Sequence, residues 1–267
     1  LLNKLTVYGS MIENVCAVLR DHGALKADVL RGYVLANPAD GDIEAELLPY
    51  MLDVGLIEMV PAAGADDFPT YRLASTYVST WPTRQNLLHG LRKMDGVNAM
   101  ILDLHAYLIR RDEYAARWLD YKEVYPAYNR DNVARSGGEV AFNENKMRSW
   151  LRVMSYIGLI QPERSNTFVL VPRLDLVRDL WIAVQAELAG DGEWLLAEGI
   201  AYVQAEFCQV TSSPGRLHPG FADALLYLQQ GGHLQLRSFG DAEMVSFAGQ
   251  GRYSHVRVLD KFVGSGS

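Results

Sequence analysis

Residues 46–57 read Glu-Leu-Leu-Pro-Tyr-Met-Leu-Asp-Val-Gly-Leu-Ile, and residues 149–160 read Ser-Trp-Leu-Arg-Val-Met-Ser-Tyr-Ile-Gly-Leu-Ile. At an offset of 103 the apolar positions coincide: Leu47 with Trp150, Leu48 with Leu151, Met51 with Met154 and Val54 with Ile157. Gly55 and Gly158 then align, followed by Leu56/Leu159 and Ile57/Ile160. A weaker third copy, residues 225–234, places Gly232 at the same point. Apolar residues at i, i+1, i+4 and i+7 form the buried stripe of an amphipathic helix. The glycine ends that helix in the left-handed conformation, which is costly for a residue with a Cβ. After it the apolar period drops from helical spacing to two.

The period-two stretches come in pairs. Leu56–Val60 leads through the polar loop Ala62–Asp67 to Tyr71–Leu73, and Leu159-Ile160 leads through Glu163–Asn166 to Phe168–Val171. In the third copy three short strands are expected, at Leu234–Arg237, Met244–Phe247 and Tyr253–Val258. Upstream, helical patterns cover Val7–Leu19 and Leu25–Leu35, then Ala99–Ile109 and Ala115–Tyr121, then Trp194–Phe207. The second helix of the third copy is expected near the Pro- and Gly-rich stretch Pro214–Pro219.

A repeated order of helices, then strand, turn and strand resembles the winged-helix superfamily, over about 5–73, 98–172 and 193–259. It is similar to MarR-like regulators and to the tandem winged-helix subunits of SMC-type complexes. The expected fold is mainly α with small β-wings, an α+β chain of three consecutive winged-helix-like modules. Residues 1–80, 98–175 and 192–262 are the expected modules, 81–97 a connector, 176–191 a linking helix, and 263–267 an appended linker tail.

Composition narrows the class. Apolar residues make up 49% and charged residues 21% of the chain, as in ordinary globular proteins. No apolar run reaches the roughly 20 residues that span a bilayer. The two cysteines, Cys16 and Cys208, lie in apolar helical patterns, so neither a disulfide framework nor a zinc site is expected, and a reducing cytoplasm is the expected setting. The net charge is −7. Residues 1–97 carry 8 basic and 12 acidic side chains, residues 98–180 carry 12 and 11, and residues 181–267 carry 5 and 9. The middle third is thus the least hostile to a polyanion.

In a DNA-reading winged helix, the third helix lays its exposed face in the major groove and the wing touches the backbone, so the residues opposite the apolar stripe decide what can be read. In the first module they are Asp42, Ala45, Glu46 and Pro49, and carboxylates there would repel phosphate. The third module presents Pro219, Ala222, Asp223 and Leu226, a packing surface. The middle module presents Asn145, Arg148, Ser149 and Arg152, flanked by Lys146. Arg can take guanine bidentately, and Asn can take adenine. Arg164 at the wing tip, with Arg130 and Arg135 in the loop 129–138, would hold phosphates.

The favoured expectation is therefore a non-enzymatic DNA-associated protein. Its middle module would contact duplex DNA, and its outer modules would make protein contacts or self-associate. The alternative is a protein-binding scaffold or accessory subunit of an SMC-like, DNA-processing or phage-defence complex. An effector-sensing transcription factor ranks third, because no ligand pocket is marked. Asp42, Glu46 and the aromatic stripe Tyr114, Trp118, Tyr121 and Tyr125 are the expected protein-contact residues, the stripe forming an intrachain junction first and a partner surface second.

Catalytic signatures are absent from the sequence. The six histidines show no metal-ligand spacing, and His105 is expected to be a core residue with its ring satisfied. Asp131 with Glu144-Asn145-Lys146 has the spacing of a nuclease metal site, but its Glu and Lys fall on an expected helix rather than a strand. No cofactor and no metal are expected.

Overall fold

A computed structural model describes residues 9–34, 43–62, 64, 67–95, 99–111, 117–136, 141–188, 192–247 and 249–259, with the backbone alone for 133–136. Helices and small, mostly antiparallel sheets alternate along the chain, an α+β arrangement. The first stretch contains α1 (Gly9–His22), β1 (Leu25–Lys26), α2 (Ala27–Val34), a π-helical turn (Ile43–Leu47) running into α3 (Leu48–Asp53), then β2 (Ile57–Val60) and β3 (Thr70–Leu73). Helix α4 (Thr83–Lys93) follows. The middle stretch contains α5 (Met100–Ile109), β4 (Leu119–Asp120), α6 (Tyr121–Ser136), α7 (Glu144–Ile157), β5 (Gln161–Pro162) and β6 (Thr167–Val169). The last contains α8 (Leu174–Leu188), β7 (Trp194–Leu195), α9 (Leu196–Glu206), β8 (Thr211–Ser213), β9 (Arg216–Leu217), α10 (Pro219–Gln230), β10 (Leu234–Arg237), β11 (Val245–Ser246), β12 (Arg252–Tyr253) and β13 (His255–Val258).

Three of the sheets share one order. A short strand after the first helix pairs with the last strand of its unit, which pairs in turn with the strand after the glycine, giving β1-β3-β2, β4-β6-β5 and β7-β13-β10. Every pairing in these sheets is antiparallel, with Leu25 opposite Tyr71, Leu119 opposite Phe168, and Trp194 opposite Val256. The aligned glycines lie where the left-handed region is required: Gly55 has φ +68°, Gly158 +96° and Gly232 +72°.

The structure departs from expectation at the short strands and in the last unit. The helical pattern at Leu25 begins with a two-residue strand, and the helix placed at Ala115–Tyr121 instead starts at Tyr121, after β4. Pro214 lies in the β8–β9 hairpin, while the second helix of that unit is α9, directly after β7. This hairpin joins β11 and β12 in a fourth sheet of order β12-β11-β9-β8. The helix expected to link the second and third modules is α8, which packs on α9, α10 and β13.

One continuous apolar core runs through all three units, from Ile12 to Val258. Helix α4, expected as part of a connector, stands inside it: Leu87 and Leu88 are fully buried, and the helix touches α1, α5, α7, α8 and α9. Among the described residues no helix is long and apolar enough to cross a membrane. Cys16 and Cys208 are both buried free thiols, and burial pushes each thiol up to about 12.

Candidate nucleic-acid interface

The surface that could meet DNA is built around α7. Asn143 caps its start, its side chain accepting a hydrogen bond from the Lys146 amide at 2.9 Å. Met147, Trp150, Leu151, Met154 and Ile157 form the buried stripe, and the Trp150 indole donates to the Ile101 carbonyl at 2.8 Å. Gly158 ends the helix in the left-handed conformation, its amide donating to the Met154 carbonyl at 3.0 Å. The fold thus orients this helix as the repeat implied.

Of the expected reading residues, only some face water. Asn145 and Arg148 are exposed. Ser149 is buried at 5% exposure, and its hydroxyl donates back to the Asn145 carbonyl at 3.3 Å. Its burial removes it from the reading set, and α7 also packs against α4. Lys146 folds its ammonium onto the Ala141 carbonyl at 2.9 Å. Arg148 donates to Glu144 at 2.7 Å and, at 3.5 Å, to the Tyr121 hydroxyl, which itself donates to Glu144 at 3.0 Å. The Tyr121 hydrogen bond and the Arg148 guanidinium hold the Glu144 carboxyl below its ordinary range. Arg152 is exposed at the wall of a cavity between α1 and α7.

Phosphate contacts fare unevenly. Arg164 is exposed on the wing. Asn166 turns inward, its side-chain amide donating to Asp120 at 2.9 Å. Arg130 has a side chain 78% exposed and sits 3.6 Å from the Asp131 carboxylate. Asp131 accepts from the Tyr107 hydroxyl at 2.7 Å and from Arg111 at 2.6 Å, and these partners hold it below the ordinary carboxylate range. Arg135 lies in α6, but its side chain is outside the described residues.

The protein-contact set divides similarly. Asp42 and Tyr114 lie outside the described residues. Glu46 is half-buried, and Trp118 is 50% exposed. Tyr121 is 2% exposed and cannot meet a partner; the Glu144 hydrogen bond and the core take it inward. Tyr125 packs against the core, and the neighbouring Tyr128 meets Tyr107 and Phe142 edge to face. Tyr121 and Tyr128 are thus buried within the middle stretch itself, and Trp118 stands exposed beside them.

Asp131 and Glu144 each engage their own partners on separate helices, and no cluster of three metal-ligating groups occurs among the described residues. His105 is fully buried as expected, but neither ring nitrogen has a hydrogen-bond partner. An apolar helix pattern indicates burial without showing whether a polar partner faces it. No protein-family model matches the chain, and comparison with curated proteins finds no relative, so the reading of this surface rests on its own geometry.

Proposed function

We propose that the chain is a non-enzymatic, protein-binding accessory subunit built of three winged-helix units, and that its middle unit does not read bases. The winged-helix assignment is supported by the shared sheet order, with the strand before the second helix pairing to the last strand in every unit. The accessory-subunit reading is carried by one observation: much of the expected reading face of α7 is taken up within the chain. Ser149 is buried, α7 packs against α4, and Lys146 and Arg148 are engaged by neighbouring acceptors. Large apolar side chains stand exposed instead, including Trp118 at 50%, Met59 at 51% and Phe68 at 69%. Aromatic residues and Met are enriched at protein interfaces.

A second reading keeps duplex DNA as the partner. It is favoured by the exposure of Asn145, Arg164, Arg130 and Lys122 around the same helix and wing. The Arg148–Glu144 pair is also solvent-exposed, and such pairs are weak, so phosphate could replace the carboxylate.

Fluorescence anisotropy with labelled duplex DNA over a salt series separates the two. The first reading expects no binding at physiological salt and no difference for Arg148→Ala/Arg152→Ala. Salt-dependent binding that the double variant loses would overturn it in favour of DNA contact. A photo-crosslinking residue at Trp118 should give discrete protein adducts in cells, whereas adducts to DNA alone would count for the second reading.

A further inference from the structure

Two histidines from different units are buried close together. His105 lies on α5 in the middle unit, His218 lies between β9 and α10 in the last, and neither has exposed surface. They are near enough for their charges to oppose one another. The first turn of α10 rests on the end of the middle unit, where a Cβ added at Gly220 would collide with the Leu170 carbonyl oxygen. The pair therefore sits at the junction of the two units.

This junction has no place for a proton. His105 has no hydrogen-bond partner at either nitrogen, so an imidazolium there would be a buried charge with nothing to accept its protons. His218 caps α10, its Nδ1 accepting from the Gly220 amide at 3.2 Å. A proton on that nitrogen would turn the acceptor into a donor, at the positive end of a helix.

The charged groups on the surrounding elements are turned elsewhere. On α5 itself Asp103 and Arg110 are exposed, and Arg111 pairs with Asp131 of α6 at 2.6 Å. Lys122, Glu123 and Arg130 of α6 are exposed, as are Glu144, Arg148 and Arg152 of α7, and Lys146 bonds the Ala141 carbonyl. On α4, Arg84 engages Asp175 and Asp179 of α8, while Arg92 and Lys93 reach the end of α9. His89 of the same helix faces the Glu206 carbonyl at 3.1 Å and its carboxylate at 3.5 Å, so a proton there finds acceptors. On the His218 side, Arg216 is half-exposed on β9, and Asp223 of α10 accepts from Gln250 at 2.7 Å. Among the described residues, His218 is the titratable group that acts on the His105 ring.

We propose that His105, set against His218, is an acid-sensitive latch between the middle and last units. At neutral pH both rings are uncharged and the junction is shut. In acid, an opening that lifts the first turn of α10 away from α5 lets His105 take a proton, which then holds it open, while α4 keeps its grip on α8 and α9. Burial, with a smaller contribution from His218, holds the ring's pKa at about 3 in the closed state, against about 6.5 once the ring is wetted. The opening therefore gains little above about pH 7 and becomes about thirtyfold more populated between pH 7.5 and 5. The latch acts on the joint between units, whichever macromolecule the chain serves.

The test is hydrogen exchange of the full chain, read by mass spectrometry at pH 7.5 and 5.0 with labelling times scaled to the intrinsic exchange rates. Peptides from α5 and from the first turn of α10 should lose about thirtyfold in protection at the lower pH, and peptides from α4 and α9 should lose less. His105→Leu should abolish the loss. His105→Gln should abolish it too with a polar side chain in place, which separates lost titration from altered packing. The latch is overturned if the α5 and α10 peptides are indifferent to pH, if protection falls evenly along the whole chain, or if both variants respond as the parent does.

Discussion

His105 shows what a single buried polar side chain does to stability. It sits on α5 with no exposed surface and no hydrogen bond to either ring nitrogen. Burial, with a smaller contribution from His218, pushes its pKa down to about 3. In the unfolded chain the ring titrates near 6.5. Between those values the unfolded chain binds a proton that the folded chain refuses, so stability is full above about pH 6.5 and falls as pH drops toward 3. The slope for one such group is up to about 1.4 kcal/mol per pH unit. Urea melts at pH 7.5, 6 and 5 should therefore show the parent losing more stability than His105→Leu. At pH 7.5 the variant should match or exceed the parent, because it removes two unpaired polar atoms at similar volume. Parallel pH dependences for the two proteins would rule out His105 as the source of the acid sensitivity.

Helix α7 shows how far local pattern reaches at the scale of an element. Its stripe, its Asn143 cap and its terminal glycine are all written within residues 143–158, and so were its burial and its end. Asn143→Ala should cost about 1 kcal/mol by removing the acceptor of the Lys146 amide. Gly158→Ala should cost more than Gly55→Ala. Both force a Cβ into the left-handed region at about 1–2 kcal/mol, but the added atom at Gly158 also meets Arg173 carbons at 3.2 and 3.3 Å, while at Gly55 it meets nothing. Equal losses in urea melts would show that the Arg173 side chain moves aside freely. The elements that escaped notice lack such internal signals. Strands β1, β4 and β7 are two residues each, too short to display an alternation. The candidate face was legible in composition but not in availability. Asn145 and Arg148 are exposed as their positions implied, whereas Ser149 is buried, which helical spacing alone does not show.

At the scale of the whole molecule, α4 stands where a connector was expected and ties the units together. Arg84 on this helix donates to Asp175 at 2.7 Å and to Asp179 at 2.6 Å on α8, and the side chains of Arg84 and Asp179 are only 16% and 8% exposed. Farther along, Arg92 donates to the Gln204 and Ala205 carbonyls, and Lys93 pairs with Glu206 at 2.8 Å, so α4 also meets the open C-terminal end of α9. With one continuous core beneath these contacts, the last unit should unfold together with the other two, in a single calorimetric transition. Arg84→Met tests this. It leaves Asp179 buried, with Arg178 at 3.4 Å as its remaining cation. Losing one partner of a buried pair costs about 3–5 kcal/mol, and the Arg178 contact places the expected loss near the lower end. Arg84→Met/Asp179→Leu removes the stranded charge and should recover much of that loss, since buried pairs are often replaced by apolar side chains at little cost. In the single variant the transition should broaden or divide as the last unit loosens from α4, and the double variant should restore one peak. A loss below about 1 kcal/mol would place the pair among weak surface ion pairs. A double variant no more stable than the single one would show that the guanidinium, and not the stranded carboxylate, sets the strength of the joint.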